Sequence, residues 1–190
     1  LLTYDCMFKN NSFKFANLMN QLAFDINSSV GVRSQNTLRE VATYSGIGIH
    51  TGHEVSLKFC PAEKGTGIAF QRMDLPSKPL IPATVEYVQD TSRATTIGIG
   101  EARVHTVEHI LAALHASKVD NVIIQVDAPE PPVGDGSSSI FLEMIESVGI
   151  EEQLAQKPVL KIKEPVFLSQ DHIHMVALPS DEFKISYTLH

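Results

Sequence analysis

The stretch Arg103-Val104-His105-Thr106-Val107-Glu108-His109-Ile110-Leu111-Ala112-Ala113-Leu114-His115 constrains the fold more than any other. Val107, Ile110, Leu111 and Leu114 stand at i, i+3, i+4 and i+7, the spacing of one apolar stripe on a helix. Thr106 is placed to cap the start of that helix. At about 100° per residue, His109 falls almost opposite the stripe, with Ala112 and Ala113 beside it and Glu108 between the two faces. A start one or two residues earlier adds His105 to the same side. A back face this small and imidazole-bearing suits a second packing surface, or a ligand held close to the backbone.

The segments around it read in period two. Residues 37–45 alternate through Leu38, Val41 and Tyr44 as a first strand. Val55, Leu57 and Phe59 alternate with Ser56, Lys58 and Cys60, a half-buried strand that places Cys60 as a small core residue. Residues 68–72 read as its return strand and residues 81–88 as another extended segment, with Asp90 to Thr96 a polar loop. Between the first two strands, Gly46-Ile47-Gly48-Ile49-His50-Thr51-Gly52 is either a tight loop that places His50 at a pocket or a hairpin corner whose histidine is incidental. After the helix, Asn121 to Asp127 reads as a strand covered on both sides. Residues 128–136 (APEPPVGDG) form a rigid loop, with Asp135 either a cap for the next helix or a group reaching into a site. That second helix has N-cap candidates Ser137 to Ser139, the apolar positions Ile140, Phe141, Met144, Ile145 and Val148, and Gly149 as its C′ residue. From Lys157 onward three more strands are expected: Val159 to Leu168 interrupted by Pro165, then His172 to Leu178, then Phe183 to Leu189.

These patterns imply an α+β fold. A two-layer domain of a sheet with two helices is followed by the first strands of a second, similar domain that the chain leaves truncated. Residues 1–35 are an extension expected to be poorly ordered, residues 36–154 the first domain, and residues 155–190 the incomplete start of the second. Length allows one domain and part of another. A hydrophobic fraction of 43% supports a buried core, while a net charge of −7 with no Lys/Arg stripe argues against nucleic acid. Cys6 and Cys60 are too few for a disulfide framework, no apolar run approaches the ~20 residues of a membrane span, and the start lacks a secretory signal. The expected compartment is the cytoplasm.

The run His105-x-x-Glu108-His109 has a chemical reading. Two imidazoles one helical turn apart can reach one Zn²⁺, and a neighbouring carboxylate can take a proton from water activated there. The bland alternative is an amphipathic helix with incidental histidines. As an inverted zinc-protease motif, the run needs His105 and His109 both bound and a downstream acidic ligand, for which Glu182 is available.

Three segments decide between these readings: residues 46–52 (GIGIHTG), Thr106-Val107-Glu108-His109-Ile110-Leu111, and residues 129–137 (PEPPVGDGS). In this order they closely resemble the UDP-3-O-acyl-N-acetylglucosamine deacetylases, the zinc amidases that commit bacteria to lipid A synthesis. The resemblance runs from about residue 36 to 190 and includes Pro82-Ala83 and the strand at 119–122 (VDNV). It implies two similar α+β domains whose helices form a central layer, and hydrolysis of the N-acetyl group of UDP-3-O-acyl-N-acetylglucosamine with release of acetate. It further implies His109 as one of three protein ligands to zinc, Glu108 as the general base, and His50 and Thr95 near the substrate entrance. It assigns no metal role to His105. The other two ligands and a second catalytic histidine belong to a second-domain pattern absent from residues 1–190, so this chain is expected to bind zinc weakly and to be inactive alone. A monomer is implied for the full-length protein. From a different class, the chain is a non-catalytic binding module whose first 35 residues recruit a partner. Truncation itself predicts exposed apolar surface at Ala112, Ala113 and the unfinished sheet.

Overall fold

The computed structural model describes residues 33–157, 162–170 and 173–188. Its first strands are β1 (Arg33–Leu38), β2 (Ala42–Ile47), β3 (Glu54–Pro61), β4 (Ile68–Arg72) and β5 (Leu80–Pro82). A 3-10 turn at Val85–Tyr87 leads into β6 (Val88–Asp90), β7 (Thr96–Ile99) and β8 (Ala102–Val104). Helix α1 (Glu108–Ala116), strand β9 (Val122–Val126), helix α2 (Ser139–Val148), and strands β10 (Ile150–Lys157), β11 (Val166–Gln170) and β12 (Ile173–Ala177) complete the order.

The centre is a five-stranded sheet in the order β2-β3-β9-β4-β5. Its alternation is the one the sequence predicts in β3: Val55, Leu57 and Phe59 are fully buried and the residues between them are not. Opposite them, β9 places Val126 against Leu57 and Ile124 against Phe59, while Ile123 on its other face is only half-buried. β9 also runs parallel to β4, and the connection between that pair carries α1. One core joins this sheet to both helices, through Ile110, Ala113 and Leu114 of α1 and Phe141, Met144 and Ile145 of α2. Phe59 meets Phe141 across the layers, ring centroids 6.3 Å apart. The fold is therefore α+β, a sheet carrying two helices. Among the described residues, no helix is long and apolar enough to cross a membrane.

Several expectations are corrected. The single strand at 37–45 is two strands, because β1 pairs with β10 and β2 with β3, so the chain changes sheets at Arg39, whose N–H donates to Gly149 O. Strand β1 takes in Arg33, Ser34 and Gln35, which the sequence reading leaves in the extension; residues 1–32 lie outside the described residues. The extended segment at 81–88 is broken by the 3-10 turn. Arg103 and Val104, just ahead of the helix, belong to β8. Thr106 is not the N-cap of α1: that position is Val107, with no side-chain cap bond, and Thr106 adopts a left-handed φ of 56°. Such a conformation is rare for a β-branched residue and turns the chain sharply from strand to helix. Ala113 lies in the core and not on the back face, whereas Ala112 is exposed.

Strand β10 is missing from the sequence reading. Its residues IEEQLAQK do not alternate, and Leu154 is 97% exposed. What holds it is its ladder with β1 and polar side chains, Gln153 donating to Ala62 O and Lys157 pairing with Asp120. The expected strand from Phe183 is absent among the described residues 183–188; Phe183 instead rests on His115 of α1, ring centroids 5.2 Å apart. β11 and β12 form a separate antiparallel ribbon, and residues 158–161 and His172 of the expected strands lie outside the described residues. Phe167, Met175, Leu178, Ile185 and Tyr187 are all well exposed in this part of the chain.

Candidate functional site

Four loops converge where α1 begins. The turn from β8 carries His105 and Thr106, and α1 then opens directly on Glu108 and His109, both half-buried. The N–H of Thr95, in the loop before β7, donates to Glu108 Oε2 at 3.1 Å. In return, Thr95 O accepts from Val107 N at 3.4 Å. Thr95 thus works through its main chain, orienting the carboxylate that begins the helix.

His105 has a different place from the one the helical reading gives it. It lies three residues ahead of α1, its N–H donates to Pro129 O at 2.8 Å, and its Nδ1 is 2.9 Å from Thr96 Oγ1. The inverted-protease reading needs two imidazoles one helical turn apart, and the start of α1 at Glu108 removes that premise. Glu182, its acidic candidate, is exposed and paired with Lys184. Burial drives the His105 pKa below the ordinary histidine value, and Arg103, His50 and Arg72 add to this against the opposing pull of Glu130. Those causes also locate His105: it sits within electrostatic reach of both His50 and Glu130.

The 128–136 loop supplies two carboxylates. Asp135 is exposed, and its Oδ1 accepts from the N–H and hydroxyl of Ser137. It therefore shapes the turn into α2, whose N-cap position is Ser138 without a side-chain cap bond. Those Ser137 hydrogen bonds hold the Asp135 pKa below its usual value, with a smaller contribution from the charge of His109, which places the two groups near each other. Glu130 is 1% exposed. Its carboxylate accepts from Thr51 N at 2.7 Å and from His50 N at 3.0 Å, so it binds the glycine loop from beneath. Burial pushes its pKa up, but the hydrogen bonds from Thr51 and His50, and the His50 charge, outweigh that and leave it lowered. His50 itself is exposed.

Of the four residues singled out for the site, the structure joins Glu108 and Thr95 by a direct hydrogen bond and sets His109 next to Glu108 at the start of α1, whereas His50 stands on the glycine loop and is connected to Glu130 and His105 and not directly to the other three. Glu130 and Thr96 escape the sequence reading. A glutamate in a proline-rich loop reads as solvated, and the only hint of its burial is the glycine at position 48, which leaves room for a carboxylate. Thr106 adds an unusual detail: its Oγ1 is buried with no hydrogen-bond partner among the described residues. No three His, Cys, Asp or Glu side chains among the described residues converge on a point that could hold a metal ion. The donor set here therefore fits one arm of a zinc site, the His109 imidazole with a carboxylate beside it, and not a whole one.

A family model described as LpxC, UDP-3-O-acyl N-acetylglycosamine deacetylase, matches residues 35–190. The chain belongs to this family. The UDP-3-O-acyl-N-acetylglucosamine deacetylase of Chlamydia pneumoniae is 44% identical to it over 159 residues, 83% of this chain and 56% of the relative. That of Chlamydia caviae is 43% identical over 158 residues, with the same coverage. The bifunctional enzyme LpxC/FabZ of Chlorobaculum tepidum is 46% identical over 154 residues, 80% of this chain and 33% of the relative. The chain spans about half the length of the Chlamydia deacetylases it matches. The three segments that carry the resemblance meet in space as the glycine loop, the start of α1 and the 128–136 loop.

Proposed function

We propose that this chain is the first part of a zinc-dependent deacetylase that hydrolyses the N-acetyl group of UDP-3-O-acyl-N-acetylglucosamine, releasing acetate in the committed step of lipid A biosynthesis. The observation that carries the reading is the opening of α1, where Glu108 and His109 stand side by side and Thr95 N–H holds the Glu108 carboxylate. Family membership supports it, since the relatives named above are deacetylases.

In this reading His109 holds the zinc ion with two ligands from outside this chain. The metal supplies Lewis acidity toward the amide carbonyl. Glu108, oriented by Thr95, would remove a proton from the attacking water as its oxygen bonds to the carbonyl carbon and the C=O π pair moves onto oxygen; when that pair returns the C–N bond breaks, acetate leaves and the proton passes to the departing amine. His50 and Thr95 line the approach of the UDP-sugar. The working protein is a cytoplasmic monomer, and this stretch by itself binds zinc weakly and is inactive, because affinity follows ligand number.

The test is zinc content and acetate release in the full-length protein. Glu108→Gln keeps its zinc and loses about 10²–10⁴-fold in rate, the usual contribution of general base catalysis. His109→Ala loses the metal. Wild-type rate in E108Q, or full zinc occupancy in H109A, overturns the assignment.

A further inference from the structure

Glu130 is the most enclosed charged side chain among the described residues: Arg72 and Asp120, the next most buried, are each 6% exposed against its 1%. Burying a carboxylate is costly unless strong donors meet it. Here the donors are the His50 and Thr51 main-chain N–H groups, joined by the Thr51 side chain. The loop from Gly48 closes on itself, Gly48 N donating to His53 O and Gly52 N to Gly48 O. Its outer turn then aims two successive N–H groups, from His50 and Thr51, at a single point. Consecutive backbone N–H groups arranged in this way form an anion-binding concavity. In most proteins such a nest receives an external anion; in this one it is filled by the chain's own carboxylate. Residue 48 has to be glycine for that to happen, because a Cβ there would lie 2.3 Å from Glu130 Oε1.

The loop that delivers Glu130 is tied on both sides of it. Pro129 O accepts from His105 N at 2.8 Å, and Val133 N donates to Ile47 O at 2.9 Å. The buried carboxylate therefore links the 128–136 loop to the glycine loop, while the adjacent Pro129 O links it to the turn that leads into α1. An apolar side chain would fill the same volume with less desolvation, so simple packing does not account for a glutamate. An ionised group does account for it: Oε1 accepts from both N–H groups, Oε2 accepts a second, longer bond from His50 N at 3.1 Å, and the negative charge faces His50 and His105.

We propose that Glu130 is a positioning residue of the deacetylase site: it occupies the backbone nest of the glycine loop and thereby fixes His50 at the rim where the UDP-sugar enters. This rests on the deacetylase reading above, and goes beyond it by assigning the rim geometry to a residue outside the Glu108–His109 pair.

The test uses the full-length protein with Glu130→Gln, Glu130→Asp and His50→Ala. In E130Q the remaining oxygen can still accept from both N–H groups, but the negative charge is lost and an NH2 takes the place of Oε2 beside His50 N, so hydrogen exchange at the His50 and Thr51 amides speeds up tenfold or more. KM for UDP-3-O-acyl-N-acetylglucosamine rises several-fold while kcat stays within twofold and zinc content is unchanged. E130D, which keeps the charge, recovers part of both effects. His50 is exposed, so H50A folds normally and reproduces the KM rise even if E130Q does not fold. Unchanged exchange in E130Q overturns the proposal. So does faster exchange with wild-type KM, which reduces Glu130 to a structural brace, and so does a wild-type KM in H50A. Failure of the wild-type protein to release acetate sinks the deacetylase reading instead, and the exchange measurement then decides alone whether Glu130 holds the loop.

Discussion

Asp120 offers the most direct test of how this fold is held together. It lies in the connection after α1, its side chain 5% exposed, and it gathers four donors from distant parts of the chain. Both terminal nitrogens of Arg33 reach it, one at 2.8 Å. Lys157 Nζ is 2.9 Å away and Asn36 N donates at 2.9 Å. Arg33 and Asn36 belong to β1 and Lys157 to β10, so one carboxylate fastens that ribbon to the main sheet. Asp120→Asn keeps the shape and removes the charge. Arg33 and Lys157 are 36% and 43% exposed, so each ion pair contributes up to about 1 kcal/mol. Weakening the charge-assisted bond from Asn36 costs roughly another 0.5–1.5 kcal/mol. The total is about 1–3.5 kcal/mol, equivalent to about 2–14 °C in melting temperature for a chain of this size. The pH dependence has a definite sign. Burial raises the Asp120 pKa, but Arg33, Lys157 and the Asn36 N–H outweigh it, and the net shift is downward. A carboxyl whose folded pKa is depressed stabilises the fold above its unfolded pKa of about 3.9, and loses that contribution as pH falls through the folded value. Urea unfolding of wild type and D120N should therefore show the full gap at neutral pH and a closing gap below about pH 4. A gap under about 0.5 kcal/mol at neutral pH, or one that does not shrink in acid, refutes the reasoning.

Two further substitutions probe the core and the turn into α1. Phe59 is fully buried against Phe141, so Phe59→Ala should destabilise by about 3–5 kcal/mol in a thermal or urea melt, and a loss below about 1 kcal/mol would mean that the sheet and α2 do not share a core. Thr106 combines a left-handed backbone with a buried, unpartnered hydroxyl. Thr106→Gly relieves strain of about 1–3 kcal/mol against an entropic penalty of about 0.5–1 kcal/mol. It should raise the urea midpoint, and a lowered midpoint would show that the threonine stabilises the turn.

The features legible in the sequence are those settled by nearest neighbours. The alternation of Val55, Leu57 and Phe59 needs only one buried face, and α2 needs only its stripe and the terminal Gly149, whose φ of 73° closes the helix. The glycine loop, the Glu108–His109 pair and the 128–136 loop stand out for a different reason, the family resemblance of the three in order, since local pattern alone leaves each of them open. The features that stay illegible are fixed by distant polar groups. Neither RSQNTL of β1 nor IEEQLAQK of β10 carries a strand pattern, because that ribbon is held through Asp120, Gln153 and Asn121, residues far apart in the chain. The start of α1 is misplaced by the sequence pattern because a left-handed turn announces itself by glycine, and here the residue is Thr106. Glu130 is invisible there because its partners are main-chain N–H groups 79 and 80 residues away.

The same distinction explains how the candidate site can be precise although it is built from loops. A site on mobile connections loses its geometry unless other groups lock each one. Here the locks are largely main-chain atoms: Thr95 N on Glu108, His105 N on Pro129 O, Val133 N on Ile47 O, and the His50 and Thr51 N–H groups on Glu130. Main-chain donors carry no rotamer freedom, so each lock fixes its loop at less entropic cost than a pair of long side chains. Among the described residues the Thr95 bond engages only Oε2 of Glu108, which orients the carboxylate while leaving its other oxygen for a proton. Helix α1 then contributes rigidity, since its opposite face is anchored by Ile110, Ala113 and Leu114 in the core. A carboxylate and an imidazole at the first two positions of such a helix are held by the protein's interior on one side and by backbone hydrogen bonds on the other. Under the deacetylase proposal, that is the arrangement Glu108 and His109 would need in order to act on a bound water.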